Sequence, residues 1–347
     1  MSKLHTVGWD IGGAHLKAVL LDADGQLLNT LQVPCPLWRG LDTLHLAIDQ
    51  VLKAFAIMPQ HAQHAVTMTG ELVDLFANRH QGVNAIAQLA CQLLGKQCLF
   101  YAANKGFVAI EKVAENTDFI ASTNWHASAS MLAQYSDNAL LIDIGSTTSD
   151  IIAIRSGEVA SAVSDAGRLQ QDTLVYTGVI RTPVMALAQK ISFAGFETNV
   201  MAEYFATMAD VYRLTGELDE SADMAETADG KGKSQQESAR RLARMVGYDL
   251  EDKPMDVWIQ LAFSCRAAQL CQLKTAVLKH LKPDVPIIGA GAGYFLAKSL
   301  ADELNTPYQS INAILASHMP VITQNPQALE VCFPAYAVAR LSIKAHP

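Results

Sequence analysis

One tripeptide, Asp-Ile-Gly, occurs twice in this chain of 347 residues, at Asp10–Gly12 and again at Asp143–Gly145. Both copies sit in the same kind of stretch. The first is Val7-Gly-Trp-Asp-Ile-Gly-Gly-Ala-His-Leu-Lys-Ala-Val-Leu-Leu21, and the second is Leu140-Leu-Ile-Asp-Ile-Gly-Ser-Thr-Thr-Ser-Asp-Ile-Ile-Ala-Ile154. Short arms rich in Ile, Leu and Val around a small-residue turn predict strand, turn, strand. A single Asp-x-Gly marks an ordinary turn. Two, a domain's length apart in matching surroundings, predict a duplicated unit with one loop from each half facing a shared cleft. The second loop carries Gly145, Ser146, Thr147 and Thr148 between Asp143 and Asp150. Glycine admits a ligand close to the backbone, and hydroxyls with turn N–H groups donate to phosphate oxygens. Asp143 suits Mg²⁺ held through water, since that ion prefers carboxylates and keeps several waters. In the first loop Asp10, Gly12 and Gly13 repeat the pattern. Lys17 there either adds positive charge to the site or snorkels to solvent.

Half of the residues are hydrophobic and 17% are charged, which suits a folded chain with a sizeable core and, at this length, two lobes. No apolar run reaches the length of a membrane span, and Met-Ser-Lys-Leu-His-Thr-Val-Gly at the start lacks a signal-peptide core. A cytoplasmic protein is expected. The net charge of −8 counts against nucleic acid as a partner. The expected partner is a small phosphorylated molecule held by local donors and metal, with neither nucleic acid nor membrane; a homodimer is compatible with this. None of the six cysteines forms a Cys-x-x-Cys pair, so buried reduced thiols are expected.

Along the chain, Asp22-Ala-Asp-Gly25 reads as a hairpin turn, Leu41–Phe55 as an amphipathic helix and Ala65–Gly70 as a strand running into a loop. At that strand's end Thr69-Gly-Glu71 has two readings. It is a ligand site at a strand C-end, or a helix start with Thr69 as N-cap and Glu71 as an early acid. Helices are also predicted at Gly82–Leu94, Val200–Arg213, Ser238–Val246 and Asp256–Leu281. Asn124 and His126 either line a cleft or pack in the ordinary way. Arg181, in an apolar stretch, is a bidentate anion ligand or a structural ion pair. Glu217–Asp229 carries six acids and no base and reads as a solvated, mobile loop. Val285–Ile288 reads as a strand entering Gly289-Ala-Gly-Ala-Gly293, a turn that opens a helix at Tyr294–Leu304. No acid at the end of a following strand supports a dinucleotide fingerprint there; a diphosphate- or adenosine-cradling turn fits better.

The loops at Asp10–Lys17 and Asp143–Asp150, with the Gly-rich segment Ile287–Tyr294 in third place, resemble the superfamily of acetate and sugar kinases, Hsc70 and actin. The resemblance implies an α/β fold of two ribonuclease H-like lobes with a cleft between them. The first lobe would span 1–138, completed by a C-terminal helix at about 330–347. The second would span 139–329, with a helical insertion at about 185–255. It further implies that Gly289, Gly291 and Gly293 cradle a nucleotide-type group and that Asp10 and Asp143 hold Mg²⁺ through water, with ATP as an optional cofactor. The common first loop has Thr two residues after its Gly, where this chain has Ala14.

Several segments resemble one branch more closely: Asp10-Ile-Gly-Gly-Ala14, Thr69-Gly-Glu-Leu72, Ser122-Thr-Asn-Trp-His126, Asp143–Asp150, Thr177-Gly-Val-Ile-Arg-Thr-Pro183 and Phe205–Arg213. They are similar to hydantoinase/oxoprolinase-like proteins of the tetrahydromethanopterin-linked C1-transfer pathway, whose archaeal members build methanofuran. That resemblance implies a transferase coupling an aminomethylfuran-methyl diphosphate to the amine of, or to a phenol-bearing, γ-glutamyl-tyramine or -tyrosine acceptor, with release of diphosphate. Ser146, Thr147, Thr148, Lys17, Arg181 and the loop N–H groups would stabilise the leaving group. Glu71 or Asp150 would accept the nucleophile's proton. The alternatives are an ATP-dependent small-molecule kinase or hydantoinase/oxoprolinase-type hydrolase, against which Ala14 counts, and a nucleotide-binding regulator without turnover.

Overall fold

A computed structural model describes residues 4–318 and 326–345. The outermost ends of the expected lobes, residues 1–3 and 346–347, lie outside the described residues. Strand β1 (His5–Ile11) and β2 (His15–Leu21) pair antiparallel around the first Gly turn, with Asp10 opposite Lys17. The Asp22 carboxylate accepts from the N–H groups of Asp24 and Gln26, which turns the chain into β3 (Leu27–Pro34), antiparallel to β2. Pro34, with no N–H to offer, ends that strand. A helix at Leu41–Ala54 carries the chain back to β4 (Ala62–Met68), parallel to β1. Asn78 caps the Arg79–Leu94 helix by accepting from the Gln81 N–H. Then β5 (Leu99–Tyr101) pairs parallel to β4, and β6 (Phe107–Val108) closes the edge. The order is β3-β2-β1-β4-β5-β6.

The helix Phe333–Ala345 packs on β1, β2 and β4. Gly8 makes this possible, because a Cβ there would lie 1.9 Å from the Ala335 carbonyl oxygen. Ala335, Ala337 and Ala339 in this helix let its backbone come so near the sheet.

A second sheet repeats the plan. It contains β7 (Asn138–Ile144), β8 (Ser149–Arg155), β9 (Glu158–Ala160) and β10 (Leu174–Val175). After a separate hairpin of β11 (Lys190–Phe193) and β12 (Phe196–Asn199) come β13 (Ile287–Ala290) and β14 (Tyr308–Ser310). The order is β10-β8-β7-β13-β14, with β9 on β8. β13 runs parallel to β7 as β4 does to β1, and Ala290 stands opposite Asp143. The chain divides into two compact units. One holds the chain up to Ala139, Ile152–Gln171 and the chain from Ser310; the other holds Leu140–Ile151 and Asp172–Gln309.

Two expectations are corrected. The helix expected at Val200–Arg213 starts only at Met208 and runs to Thr215, because Thr207 and Asp210 form a capping box at that point. The acidic stretch Glu217–Asp229 is tied down rather than solvated. Asp223 pairs with Arg213 (2.6 Å) and Lys233 (3.3 Å), Asp229 with Arg241 (3.0 Å) and Glu217 with Arg266 (2.8 Å). The arginines come from other helices, where local composition does not reveal them. Of the cysteines, Cys35, Cys98, Cys265 and Cys332 are buried, Cys91 is half-buried and Cys271 is exposed, all as free thiols.

Candidate functional site

The first Gly turn is held by its carbonyls. Those of Ile11, Gly13 and Ala14 accept from the N–H groups of Thr69, Leu37 and Cys35, at 2.9, 3.0 and 2.8 Å, while the Gly12 N–H closes the turn on the His15 carbonyl at 3.0 Å. A Cβ on Gly12 would meet that carbonyl at 2.9 Å, and one on Gly13 would meet Val73 at 2.8 Å. Asp10 is buried at the end of β1, with its carboxylate 3.6 Å from the Lys17 ammonium. Lys17 therefore brings its charge to the loop.

Packed on this turn is the segment Thr69-Gly-Glu71. A Cβ on Gly70 would sit 3.2 Å from the carbonyl oxygens of Ile11 and Gly12. Gly70–Leu72 form a short 3-10 turn whose preceding Thr69 makes no side-chain cap, and Glu71 is only 1% exposed. Its Oε1 accepts from the Ser122 hydroxyl at 2.7 Å, while its Oε2 is buried without a hydrogen-bond partner. Burial pushes this carboxyl up to about 7; the Ser122 bond and the nearby Arg79 pull the other way less strongly. Ser122 holds its hydroxyl there from a left-handed backbone, φ 54°. Arg79 pairs with Asp165 at 2.6 Å, and Arg168, buried, stacks on the Trp125 ring at 4.0 Å. His126 is a packed histidine: Tyr101 lies 2.9 Å from its Nδ1, and burial with the Arg168 charge holds it down at about 4. The Asn124 side chain accepts from the Trp125 N–H.

In the other unit, the second turn closes through the Gly145 N–H on the Thr148 carbonyl at 2.9 Å. Its Ser146 and Thr147 hydroxyls stand 3.4 Å apart. Residues Thr177–Thr182 brace it from outside. Val179 N–H donates to the Gly145 carbonyl, and the Ile180 and Arg181 N–H groups donate to that of Ser146. Gly178 must lack a side chain, since a Cβ would fall 2.5 Å from the Ser146–Thr147 peptide. The Arg181 side chain is exposed. Gly291, at φ 78°, and Gly293 press on the same turn. Their Cβ atoms would come to 2.4 Å from Asp143 Oδ1 and 2.5 Å from the Ile144 side chain, and the Gly293 N–H donates to the Ile144 carbonyl at 2.8 Å. Gly289 stands back from this group, against the Tyr308 ring. Asp150, half-buried, lies on β8 opposite Leu174.

The structure thus gathers Asp10, Gly12, Gly13, Lys17 and Glu71 in one unit, and Asp143, Gly145–Thr148, Arg181, Gly291 and Gly293 in the other. Sequence reasoning missed Ser122 as the partner of Glu71, the Arg79–Asp165 pair, and Gln269, which reaches the bracing segment. Only Gln269 carries a readable signal. It interrupts the apolar i+4 stripe Leu261, Cys265, Leu273, Val277 of the long helix Met255–His280.

No group of three or more His, Cys, Asp or Glu side chains suited to a metal stands among the described residues. The donor set fits Mg²⁺ in its usual manner, through a carboxylate or two and a substrate's phosphates. Gly291 keeps clear the space beside Asp143 Oδ1 that a Cβ would fill. Asp10 already has an ammonium at its Oδ2, so it fits less well. No helix among the described residues is long and apolar enough to cross a membrane.

Comparison with solved structures shows the fold. The nucleotide-free structure of acetone carboxylase aligns with a TM-score of 0.60 at 11% identity, over 98% of this chain and 70% of that one. Component A of (R)-2-hydroxyglutaryl-CoA dehydratase from Acidaminococcus fermentans aligns with a TM-score of 0.50 at 10% identity, over 99% and 98%. The architecture is the two-lobed actin, Hsp70 and sugar-kinase type. Among curated relatives, the (4-{4-[2-(gamma-L-glutamylamino)ethyl]phenoxymethyl}furan-2-yl)methanamine synthase of Methanocaldococcus jannaschii is 31% identical over 308 residues, 87% of this chain and 90% of that protein. The protein of the same name from Methanococcus vannielii is 38% identical over 125 residues, 36% of this chain and 56% of that protein. The hydantoinase/oxoprolinase profile matches residues 63–321, and the chain belongs to the hydantoinase/oxoprolinase family.

Proposed function

We propose that this chain is a transferase of methanofuran-type cofactor biosynthesis, within tetrahydromethanopterin-linked C1 metabolism. It joins the methylene carbon of an aminomethylfuran-methyl diphosphate to the phenol oxygen of a γ-glutamyl-tyramine or -tyrosine acceptor and releases diphosphate. The observation that carries this is the likeness, along nearly the whole of both chains, to the Methanocaldococcus jannaschii synthase. That enzyme's name specifies a phenoxymethyl link, an aryl ether. Of the two acceptor atoms expected from the sequence, amine and phenol, the phenol is therefore the one adopted here.

The residues suit such a displacement. A furfuryl carbon ionises readily because the ring spreads the developing charge, so most of the catalytic burden falls on the departing diphosphate. The Ser146, Thr147 and Thr148 hydroxyls, with the exposed Arg181 guanidinium, are donors for its oxygens. Lys17 supplies positive charge at the other loop. In the second unit Asp143 would hold Mg²⁺, which when bound neutralises charge on the leaving group. The phenol must lose its proton as the C–O bond forms. Glu71, with one buried unpartnered oxygen and a carboxyl poised near 7, is the better base; Asp150 is the second candidate. Gly291 and Gly293 shape the second loop, Gly289 packs on Tyr308, and none of the three requires a nucleotide.

The test is product formation. Protein with Mg²⁺, the aminomethylfuran diphosphate and γ-glutamyltyramine is incubated with and without ATP. Diphosphate and the aryl ether forming in equal amounts without ATP is the expected result. ADP appearing only when ATP is supplied would overturn the reading in favour of a kinase or ATP-driven hydrolase.

A further inference from the structure

Gln269 lies wholly buried in the middle of the Met255–His280 helix. Its Nε2 donates to the Thr177 hydroxyl at 2.8 Å and to the Gly178 carbonyl at 3.0 Å, and its Oε1 accepts from the Tyr212 hydroxyl. Both ends of the amide are thus engaged, the Nε2 on the Thr177–Thr182 segment and the Oε1 on the Met208–Thr215 helix. The Thr177–Thr182 segment bonds Gly145 and Ser146 on one side. On the other side it bonds the start of the Met208–Thr215 helix, where the Met208 and Ala209 N–H groups donate to the Thr182 and Ile180 carbonyls. Within the segment the Gly178 N–H donates to the Thr182 hydroxyl at 2.7 Å. The segment is a strap between a helix and the second loop, and Gln269 is its cross-piece. A polar side chain on an apolar stripe costs stability unless fully satisfied. Leucine or methionine would fill the same space without that demand.

We infer that Gln269 is a positioning residue for the leaving diphosphate: it seats the strap on the Ser146–Thr147 peptide and so fixes the loop hydroxyls and the place from which Arg181 extends. The inference rests on the diphosphate reading above. It predicts that Gln269 acts on binding of the diphosphate half and leaves the acceptor half alone.

Two variants test it, Gln269→Met, which keeps length and loses the bonds, and Tyr212→Phe, which removes one hydroxyl. Binding of inorganic diphosphate with Mg²⁺ is followed by calorimetry, and KM is measured for both substrates. Dissociation constant and diphosphate-substrate KM should rise about tenfold in the first and a few-fold in the second, in line with lost buried hydrogen bonds. The acceptor KM should stay unchanged. Folded variants that bind diphosphate like the wild type would overturn the inference; if Gln269→Met does not fold, Tyr212→Phe decides. Ser146→Ala and Thr147→Ala serve as controls. If they weaken diphosphate binding while the Gln269 and Tyr212 variants do not, only the positioning role fails. If wild-type protein binds no diphosphate, or both controls bind it normally, the diphosphate reading fails and takes this inference with it.

Discussion

Replacing Glu71 with Gln should make the protein more stable and nearly inactive, with both effects governed by one titration. Gln copies the shape and neutrality of a protonated glutamate. The ordinary carboxyl value of 4.5 is raised by burial to about 7, and at 1.36 kcal/mol per pH unit that difference corresponds to about 3 kcal/mol. The folded state holds the proton more tightly than the unfolded state. Stability is therefore complete below pH 4.5, declines as pH rises towards 7, and above that carries a penalty of about 3 kcal/mol for an ionised, buried carboxylate. Glu71→Gln escapes the penalty. At pH 8 its Tm should exceed that of the wild type by roughly 5–10 °C, and at pH 4.5 the two should melt together. Differential scanning calorimetry at the two pH values reads this directly. For turnover, the wild-type kcat/KM should climb with pH through about 7 and level off, as a base must be deprotonated to act, and the variant should lose at least ~100-fold. An equal Tm difference at both pH values would refute the buried-carboxyl argument. A flat kcat/KM between pH 5.5 and 8.5, or wild-type turnover in Glu71→Gln, would refute Glu71 as the base.

Three further outcomes are expected. Ser122→Ala removes the hydrogen bond that favours the ionised form of Glu71, so the midpoint of the pH–rate profile should move to higher pH; a fixed midpoint would separate Ser122 from the base. Gly291→Ala places a methyl group 2.4 Å from Asp143 Oδ1 at φ 78°, which should cost about 1–3 kcal/mol of stability and weaken diphosphate binding; urea unfolding and calorimetry check the two halves. Asp210→Asn takes from the buried Arg241 one of its two counter-charges and leaves Asp229, and should destabilise by about 1–3 kcal/mol in urea unfolding.

What was legible in the sequence is what local chemistry determines. Asp10 and Asp143 end strands because apolar runs stop there, and Gly12 and Gly145 follow because the chain must turn in little space. The long helix at Met255–His280 was readable from its stripe, and the final helix from the resemblance. The failures share a cause. Of the two readings of Thr69-Gly-Glu71, the helix start fails: Thr69 makes no cap, and Glu71 is buried where Gly82 of the next helix packs on its backbone, a Cβ there falling 2.5 Å from the Glu71 carbonyl oxygen. The acids of Glu217–Asp229 read as solvated because their arginines sit on helices further along or further back. Val200–Arg213 is the local exception: its apolar spacing read as helical throughout, and the capping box at Thr207 starts the helix only at Met208.

The same construction recurs in both units. In one, the Ser122 hydroxyl reaches across 51 residues of chain to fix Glu71 beside the first Gly turn. In the other, the Gln269 amide reaches across 92 residues to fix Thr177 behind the second. Neither donor belongs to the Gly turn that it serves, and each is buried, Ser122 in a turn between two helices and Gln269 within the long helix. A turn alone samples many arrangements of its hydroxyls, and an electrostatic site works only if those groups are already in place when charge develops. Holding each turn from the core supplies that order without placing bulk in the loops, which must stay small to admit a ligand. It follows that substitutions beneath the loops should alter affinity and pH dependence about as strongly as those within them, and that exchanging loop residues alone would not carry this chemistry onto a related fold.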